Sequence, residues 1–380
     1  MKVREKRIIT LLSRYGALSK KELAERESIS WATAVKSVAR LEKEGIIQSI
    51  GVNAQPGTTG KNPIVYDLAE RHPLAIGIDV TAAQTRLVMT NLKHTIVAQQ
   101  MRQTPKHPNA EQLVEFLAEC SLIFAQQHLS EEERLQGIGI GLPVWLTSGA
   151  HTPFFSLAKT LESRLQTAVR IENNIRAYTM YVKWAGPAFS LQNFLLISLR
   201  NGVGTGIFYQ GDLIRGTHEM AGELSHLPVA GRGKRCRCGQ RGCLETVVNA
   251  HLLYREYLRK VKEVLRPAPP ETEADLRKGL AELFTFAKQG QPEAAAIVQQ
   301  AAAHLGQGLV VLLKVLDIPD LLLTADFGPD GDAIIPDLYQ ETGTRLLPGT
   351  QCLLHYYPLE QDGFARGAAL LILKDYFTTL

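Results

Sequence analysis

Residues 221–245 read AGELSHLPVAGRGKRCRCGQRGCLE, the most distinctive stretch of the chain. Cys236, Cys238 and Cys243 lie within eight residues and are interleaved with glycines, which permit tight turns. In a chain without secretory features, such a group favours a metal site over disulfides. Zinc takes four nitrogen or sulfur ligands, and His226 is the nearest fourth candidate. We therefore predict a closed, structural Zn2+ site in residues 226–245, the zinc loop, with free thiols in a basic loop as the alternative.

Outward from this loop, groups of strands alternate with groups of helices, twice over. The predicted strands span 74–80, 85–92, 95–101, 135–142, 168–174, 193–200, 207–214 and 320–326. The predicted helices span 110–127, 157–167, 175–184, 246–265, 273–289, 292–316 and 365–377. NGVGTG (201–206) is followed by a strand rather than a helix, so it predicts a hairpin turn and not a dinucleotide site. Strands followed by helices in each half predict two α/β lobes of similar build around a cleft.

The first 70 residues follow a different pattern. Apolar residues at helical spacing end at Gly16, Ser19 caps a second helix with a capping box to Glu22, and Ser30 caps a third helix. Two strand-like stretches, IIQSIGV and IVYDL, flank the loop NAQPGTTGKNP. This order predicts a winged helix-turn-helix, whose third helix enters the DNA major groove while the wing touches the backbone. A small helical protein-interaction domain is the alternative.

The third helix supplies the candidate DNA contacts. Lysine and arginine side chains neutralise phosphates, whereas small polar side chains read base edges. We predict Thr33 and Ser37 for base contacts and Lys36, Arg40 and the wing residue Lys61 for phosphates, with Trp31 near the helix N-terminus.

Charge is distributed unevenly. The net charge is +4, and the first 70 residues hold 12 basic and 8 acidic residues, so the remaining 310 are balanced at 30 of each. This asymmetry indicates an N-terminal module that meets a polyanion. A hydrophobic content of 45% excludes a largely disordered chain. Because no apolar run reaches roughly 18 residues and the N-terminus has no secretory signal, we expect a cytoplasmic protein with no membrane partner.

The stretch 221–245 resembles the signature of the ROK family, which includes sugar kinases and sugar-responsive repressors. The resemblance extends over 74–380, and a winged helix in front of such a body is similar to the NagC/XylR-type repressors. It implies an actin-like, ribonuclease-H-like body with zinc at the His and three Cys of the motif. The expected domains are the winged helix-turn-helix (1–70), lobe 1 (74–185, completed by 365–380) and lobe 2 (186–364, with the zinc loop 226–245).

The resemblance also implies a sugar site. Its hydroxyl-binding positions fall on Asn173, Asn174, Glu223, His226 and Glu245. Carboxylates accept paired hydroxyl hydrogens, and amides both donate and accept, so these residue types suit a carbohydrate. The alternative is that Glu223 and Glu245 only brace the zinc loop.

Three departures from the family's kinases predict that phosphoryl transfer is lost. Asn174 stands where the kinases have the aspartate that takes the hydroxyl proton, and an amide is not basic at neutral pH. The first phosphate loop of the kinases reads Asp-x-Gly-Gly-Thr, and here Asp79 is retained but Thr81, Ala82 and Ala83 occupy the Gly-Gly-Thr positions. TADFG (324–328) replaces the glycine-rich turn against adenosine.

We therefore expect a protein that is not an enzyme. It should be a DNA-binding transcriptional regulator that acts as a repressor and whose body senses a sugar or sugar phosphate. The expected partners are a double-stranded DNA operator, the small molecule and further copies of the chain, as a homodimer or higher homo-oligomer. Two alternatives remain: an active sugar kinase that also binds DNA, and a regulator controlled by a protein that docks on the basic zinc loop.

Overall fold

The computed structural model describes residues 1–52, 63–143, 154–200 and 202–378, with side chains omitted at 154–155. It divides the chain into two compact units. Unit 1 comprises residues 1–186 and 362–380, and unit 2 comprises residues 187–361.

The N-terminal part of unit 1 is a winged helix-turn-helix. Its helices are α1 (Val3–Tyr15), α2 (Lys20–Arg26) and α3 (Trp31–Lys43), and its strands are β1 (Leu18–Ser19), β2 (Ile47–Val52) and β3 (Ile64–Leu68). The three strands form a sheet in the order β1-β3-β2. The predicted caps are confirmed, because Ser19 accepts from the Glu22 N–H and Ser30 from the Thr33 N–H. The predicted wing loop, with Lys61, lies outside the described residues.

The rest of unit 1 is built on a five-stranded sheet in the order β6-β5-β4-β7-β8. Its strands are β4 (Leu74–Val80), β5 (Gln84–Thr90), β6 (Ile96–Gln103), β7 (Leu135–Leu142) and β8 (Val169–Asn173). The first three strands form an antiparallel meander, and β7 and β8 add in parallel. The helices are α4 (Ala110–His128), α5 (Phe154–Leu165), α6 (Asn174–Trp184) and α11 (Gly363–Leu373).

Helix α11 lies unusually close to the sheet of unit 1. A Cβ atom on Gly139 would come within 1.7 Å of the Ala368 carbonyl oxygen, and one on Gly77 within 1.9 Å of the Ala365 oxygen. Gly77 and Gly139 are register partners on β4 and β7. These two glycines therefore leave the space in which the helix backbone lies directly on the central strand pair.

The winged helix is hydrogen-bonded to the rest of unit 1. Thr10 on α1 exchanges two hydrogen bonds of 3.2 Å with the backbone of Thr378. Ser13 donates to the Leu92 carbonyl at 3.1 Å and lies 3.2 Å from His94 Nε2. On the β3 side, Lys93 forms an ion pair of 2.7 Å with Asp67. The winged helix-turn-helix is thus fixed to the body by residues distant in sequence.

Unit 2 repeats the sheet topology of unit 1. Its strands, in the order β11-β10-β9-β12-β13, are β9 (Phe194–Leu199), β10 (Val203–Tyr209), β11 (Asp212–Leu213), β12 (Asp320–Ala325) and β13 (Leu353–Pro358). As in unit 1, three antiparallel strands are followed by two parallel ones. The helices are α7 (Ala250–Lys260), α8 (Glu273–Lys288), α9 (Pro292–Leu316) and α10 (Ile335–Gly343).

Two expectations for unit 2 were wrong in detail. The predicted turn NGVGTG is largely strand, because Val203 to Gly206 pair with Leu199 to Leu196 in the β9–β10 ladder. Pairing along the ladder prevails over the turn preference of the glycines. The helix predicted over 246–265 is shorter, because Asn249 caps α7 through the Leu252 N–H at 2.9 Å.

Helix α9 is the longest helix of unit 2. Among the described helices it alone is long and apolar enough, by length and composition, to cross a membrane. Leu305 and Leu309 on α9 are fully buried among the strands and helices of unit 2. The apolar character of α9 is therefore that of a core helix.

Candidate functional site

The predicted metal ligands come together in unit 2. Bridges between Pro228 and Cys243 and between Arg235 and Arg241 fold the zinc loop into a narrow hairpin. As a result, the ligand atoms of four residues lie within 4.8 Å of one another: His226, Cys236, Cys238 and Cys243.

The geometry of this cluster fits a tetrahedral zinc ion. Zinc–sulfur bonds of about 2.3 Å place tetrahedral ligand atoms about 3.8 Å apart. The sulfurs of Cys238 and Cys243 are 3.6 Å apart, and the Cys236 sulfur is 3.5 Å from His226 Nδ1. Three thiols and one imidazole are also the donor types that zinc prefers. The residues therefore fit a closed Cys3His site.

The two ring nitrogens of His226 face different groups. Nδ1 is directed toward Cys236 and lies 3.8 Å from Glu245 Oε1, whereas Nε2 lies 3.8 Å from Glu223 Oε2. Nδ1 is thus the nitrogen available to a metal, and Nε2 is the one available to a ligand beside Glu223.

Protonation of the thiols differs across the cluster. Burial, with a hydrogen bond to Glu245, raises the pKa of Cys236 to about 12, whereas a backbone hydrogen bond at Gln240 lowers the pKa of Cys238. Cys236 donates to Glu245 Oε1 at 2.8 Å. A bound zinc ion supplies the positive charge that holds such a sulfur as a thiolate.

Glu245 connects the cluster to the surface of the zinc loop. Its Oε1 accepts from Cys236, and its Oε2 accepts from the guanidinium of Arg237 at 2.9 Å. The side chain is only 11% exposed, so both contacts are partly shielded from water. The position of this carboxylate therefore depends on the fold of the loop.

The two asparagines predicted for sugar binding lie in unit 1, at the start of α6. Asn173 is buried and its Oδ1 caps α6 by accepting from the Ile175 N–H at 3.0 Å. The adjacent Glu172 is buried and pairs with Arg176 at 2.6 Å. The Oδ1 atom of Asn173 is already used in the cap, which leaves its Nδ2 group to donate to a ligand. The next residue, Asn174, is half-buried.

On α3, the predicted DNA contacts are accessible. Trp31 is 58% exposed, Lys36 is exposed, and Ser37 is half-buried. Thr33 is partly engaged, because its hydroxyl lies 2.8 Å from that of the capping Ser30. The exposed indole and ammonium groups occupy the solvent side of the helix, whereas Ala34, Val38 and Leu41 fill its buried side.

Arg40, a predicted phosphate contact, is already neutralised by two carboxylates. It lies 3.2 Å from the buried Glu5 and 2.9 Å from Glu44. These carboxylates raise the pKa of Arg40, with Glu44 contributing first. Sequence spacing gave no sign of the Glu5 contact, which depends on the packing of α1 against α3.

Unit 2 also contains a small pocket between the ends of β9 and β12 and helices α7 and α8. Its lining residues are Leu199, Arg200, Ala250, Glu273, Leu276, Arg277, Leu280, Asp326, Leu359 and Gln361. Its volume is about 20 Å3, room for about one water molecule. Arg277 and Asp326 form an ion pair of 3.5 Å in its lining. Burial raises the pKa of Asp326, and Arg277 opposes that rise.

The turn between β4 and β5 is closed by its own residues. The Thr81 hydroxyl donates to the Gln84 carbonyl at 2.8 Å and accepts from the Gln84 N–H at 3.1 Å. The Thr81 N–H also donates to the Gln84 carbonyl. With Ala82 and Ala83 between them, this turn has no glycine cradle for a phosphate.

Comparison with known proteins separates the winged helix-turn-helix from the rest of the chain. The model of the ROK family matches residues 75–375, and a winged helix-turn-helix DNA-binding model matches residues 1–48. The N-acetylglucosamine repressor of Escherichia coli O6:H1 is 20% identical over 376 residues, which are 97% of this chain and 91% of the repressor.

Solved structures match in two ways. A ROK family transcriptional regulator, described as a homologue of the E. coli MLC protein, superposes with a TM-score of 0.76 at 19% identity and covers 98% of this chain and 96% of its own. A ROK hexokinase from Thermus thermophilus gives a TM-score of 0.62 at 24% identity and covers 80% of this chain and 99% of its own. The fold is thus shared with both regulators and kinases, but the hexokinase leaves a fifth of this chain unmatched.

Proposed function

The chain belongs to the ROK family, and from that premise we propose that it is a transcriptional repressor whose kinase-like body binds a sugar or sugar phosphate without phosphorylating it. One observation supports this most strongly: a winged helix is hydrogen-bonded to a body that carries Asn174, an amide, where the resemblance places the catalytic aspartate of the family's kinases. DNA binding and ligand binding would then reside in one chain that acts in the cytoplasm.

The proposed sugar contacts are Asn173, Asn174, Glu223, His226 and Glu245. Glu223 is partly exposed and offers two acceptor oxygens, which suits a pair of vicinal hydroxyls. The oxygen of Asn173 already accepts from the Ile175 N–H, so its contact with a sugar would be a donated hydrogen bond from Nδ2. The N-acetylglucosamine repressor is named for a sugar, which supports this ligand class but not a particular sugar for this chain.

Loss of phosphoryl transfer follows from three features of the described residues. Asn174 cannot accept the hydroxyl proton as a general base. The turn at Thr81 is closed on itself and lacks glycines. Asp326 follows β12 in the lining of the pocket and would add negative charge where the phosphates of a nucleotide approach.

The zinc ion has a structural role in this proposal. It would bind Nδ1 of His226 and the sulfurs of Cys236, Cys238 and Cys243, leaving no open position for a reacting water. These residues then hold the His226 ring so that Nε2 faces the ligand position beside Glu223. Cys243 would also fix the chain two residues before Glu245.

Regulation requires that the ligand prefers one conformation of the protein over another. In a homodimer, two recognition helices read half-sites one helical turn, about 34–36 Å, apart. A ligand that stabilises a conformation with a different helix spacing would release the DNA, and by linkage DNA would weaken ligand binding by the same factor.

The proposal is tested with the full-length, zinc-loaded protein. An operator is selected from a random DNA library, and sugars and sugar phosphates are then screened by calorimetry. We expect one of them to bind and to release the selected DNA. The variant Glu223→Gln should lose ligand binding but keep DNA binding, whereas Glu263→Gln, at an exposed position of unit 2, should keep both. ATP-dependent phosphorylation of the ligand, or regulation only by a protein partner, would contradict the proposal.

A further inference from the structure

The zinc loop concentrates positive charge on an otherwise acidic unit. It carries five basic residues and one acidic residue, whereas the rest of unit 2 carries 12 basic and 18 acidic residues. All five basic side chains are exposed: Arg232, Lys234, Arg235, Arg237 and Arg241. Such a contrast focuses the positive potential of unit 2 on one small surface.

Four of these five cations have no carboxylate partner. Only Arg237 forms an ion pair, with Glu245, among the described residues. Arg235 and Arg241 are register partners across the hairpin, an arrangement in which like charges repel. The loop therefore keeps uncompensated charges side by side, and an anion outside unit 2 would relieve that repulsion.

The backbone that carries these cations is rigidly held. The Gly242 N–H donates to the Lys234 carbonyl at 3.0 Å, and the Cys236 N–H donates to Gln240 at 2.8 Å. A Cβ on Gly242 would lie 2.7 Å from the Gly231 oxygen, so the two ends of the hairpin tip are in close contact. Together with the metal cluster, these contacts fix the loop before a partner arrives, and little backbone entropy remains to be lost on binding.

The composition of the loop indicates the class of partner. From residue 231 to residue 242 there is no aliphatic or aromatic side chain. Protein interfaces depend on apolar and aromatic anchors at their centre, and single-stranded nucleic acids bind by stacking on aromatic rings. Contacts to duplex phosphates need only cations and backbone N–H groups. Residues 231–242 have the cations and backbone N–H groups that bind duplex phosphates, but they lack the apolar and aromatic side chains that the other two partners require.

We propose that the zinc loop is a second DNA contact, which binds the phosphate backbone of duplex DNA without reading its sequence. This inference rests on the proposed DNA-binding function and adds to it a contact made by unit 2. Arg237 would then contact both a DNA phosphate and Glu245. Because Glu245 is a proposed sugar contact, DNA bound at the loop would change the affinity for the sugar.

The test measures the salt dependence of binding to a fluorescein-labelled duplex of random sequence, several helical turns long. The loop variant replaces Arg232, Lys234, Arg235 and Arg241 with Gln and leaves Arg237 and every metal ligand intact. The control variant replaces four exposed cations of unit 2 outside the loop with Gln: Arg255, Arg266, Lys278 and Lys314. Zinc content and thermal unfolding verify that both variants remain folded.

Each phosphate contact contributes a slope of about −0.9 to a plot of log K against log salt. If all four cations contact phosphates, the loop variant should have a slope shallower by about 3.6 and bind about tenfold to a hundredfold more weakly at low salt. The control variant should resemble the wild type. Equal slopes for the loop and control variants would overturn the inference. It would also be overturned if the loop variant lost binding to an acidic protein but bound DNA as the wild type does.

A third variant, Lys36→Glu on α3, separates this inference from the proposed function. If Lys36→Glu weakens DNA binding and the loop variant does not, only the loop contact is wrong. If the wild type binds neither the random duplex nor a selected operator, the proposed function fails and the loop contact fails with it.

Discussion

The two units share one sheet topology but use the centre of the sheet differently. In unit 1 the central parallel pair brings Gly77 opposite Gly139, and the backbone of α11 lies directly on them. In unit 2 the corresponding parallel pair, β9 and β12, brings Ile197 opposite Leu323, and both side chains are fully buried. One sheet is thus covered by close backbone contact, the other by ordinary side-chain packing.

The difference in packing corresponds to a difference in the segments attached to each unit: the winged helix in unit 1 and the zinc loop in unit 2. Helix α11 leads to the C-terminal residues that contact α1, so the close packing in unit 1 supports the attachment of the DNA-binding module. Unit 2 instead carries the zinc loop after β11, held by short-range hydrogen bonds and by the cysteine cluster. The shared topology therefore provides a scaffold, and the segments attached to it provide the function.

The largest effect is expected at the centre of unit 1. Gly139→Ala would place a Cβ within 1.7 Å of the Ala368 oxygen, so α11 must move, and we expect a loss of about 3 kcal/mol or more. Ile197→Val in unit 2 should cost only about 1 kcal/mol. Urea unfolding of both variants measures the difference. Equal losses would show that the two sheets are packed alike.

Removal of the metal should act on unit 2 alone. Treatment with a chelator, or Cys243→Ala, should lower the unfolding temperature of unit 2 by roughly 5 °C, a loss of about 2 kcal/mol, because the loop loses its cross-link. Differential scanning calorimetry with zinc analysis measures this. Cys352→Ala removes a half-buried cysteine of the same unit outside the cluster and should retain the metal. A shifted transition for unit 1 instead would contradict the division of roles.

Acidification should act on unit 1. His94 is buried between Ser13 of α1 and Phe377, and the charged group facing it is Arg366 of α11. Burial, then Arg366, lowers its pKa from 6.5 to about 3. The folded protein therefore keeps His94 neutral, and the unfolded chain takes up a proton below pH 6.5. Stability from this group is complete above pH 6.5 and is lost as the pH falls toward 3.

Between pH 6.5 and 5 this loss amounts to about 2 kcal/mol. We expect His94→Gln to be less stable at neutral pH but to show a smaller pH dependence of unfolding. His251→Gln, at an exposed position, should behave like the wild type. If His94→Gln and the wild type lose stability in parallel over this range, His94 is not the titrating group.

The smallest effect concerns the attachment of the winged helix. Ser13→Ala removes the hydrogen bond to Leu92 and the contact with His94, and should destabilise unit 1 by about 1 kcal/mol. Ser156→Ala, at an exposed position of α5, is the matched control. Thermal unfolding at neutral pH measures both. No difference between them would mean that these hydrogen bonds do not stabilise the attachment.

Local signals predicted the local structure well. The caps at Ser19 and Ser30, most strands of the two sheets and the cysteine cluster follow from residues close together in sequence. Strand β13 was not predicted, and the strand predicted over 207–214 is divided between β10 and β11. The start of β10 at Val203 was missed, because glycines in a strand resemble a turn until the partner strand is known.

Contacts over long sequence separations had no such signal. Glu5 neutralises Arg40 only because α1 packs on α3, and nothing in the spacing of the two residues indicates it. The same is true of the Ser13 contact with His94 and of the Arg277–Asp326 ion pair. The sugar and DNA contacts stay predictions, since they depend on molecules that bind to these surfaces.

The hydrogen bonds between Thr10 and Thr378 also have a consequence for biosynthesis. The two residues are separated by 368 positions, so α1 is translated long before the segment that secures it. A nascent chain can complete its winged helix early, because the contacts within that module are local. The module's contacts with Leu92, Lys93 and His94 can form early, but the hydrogen bonds between Thr10 and Thr378 must wait until residue 378 has left the ribosome. A chain that ends before residue 378 would therefore carry a winged helix that lacks this pair of hydrogen bonds to the body.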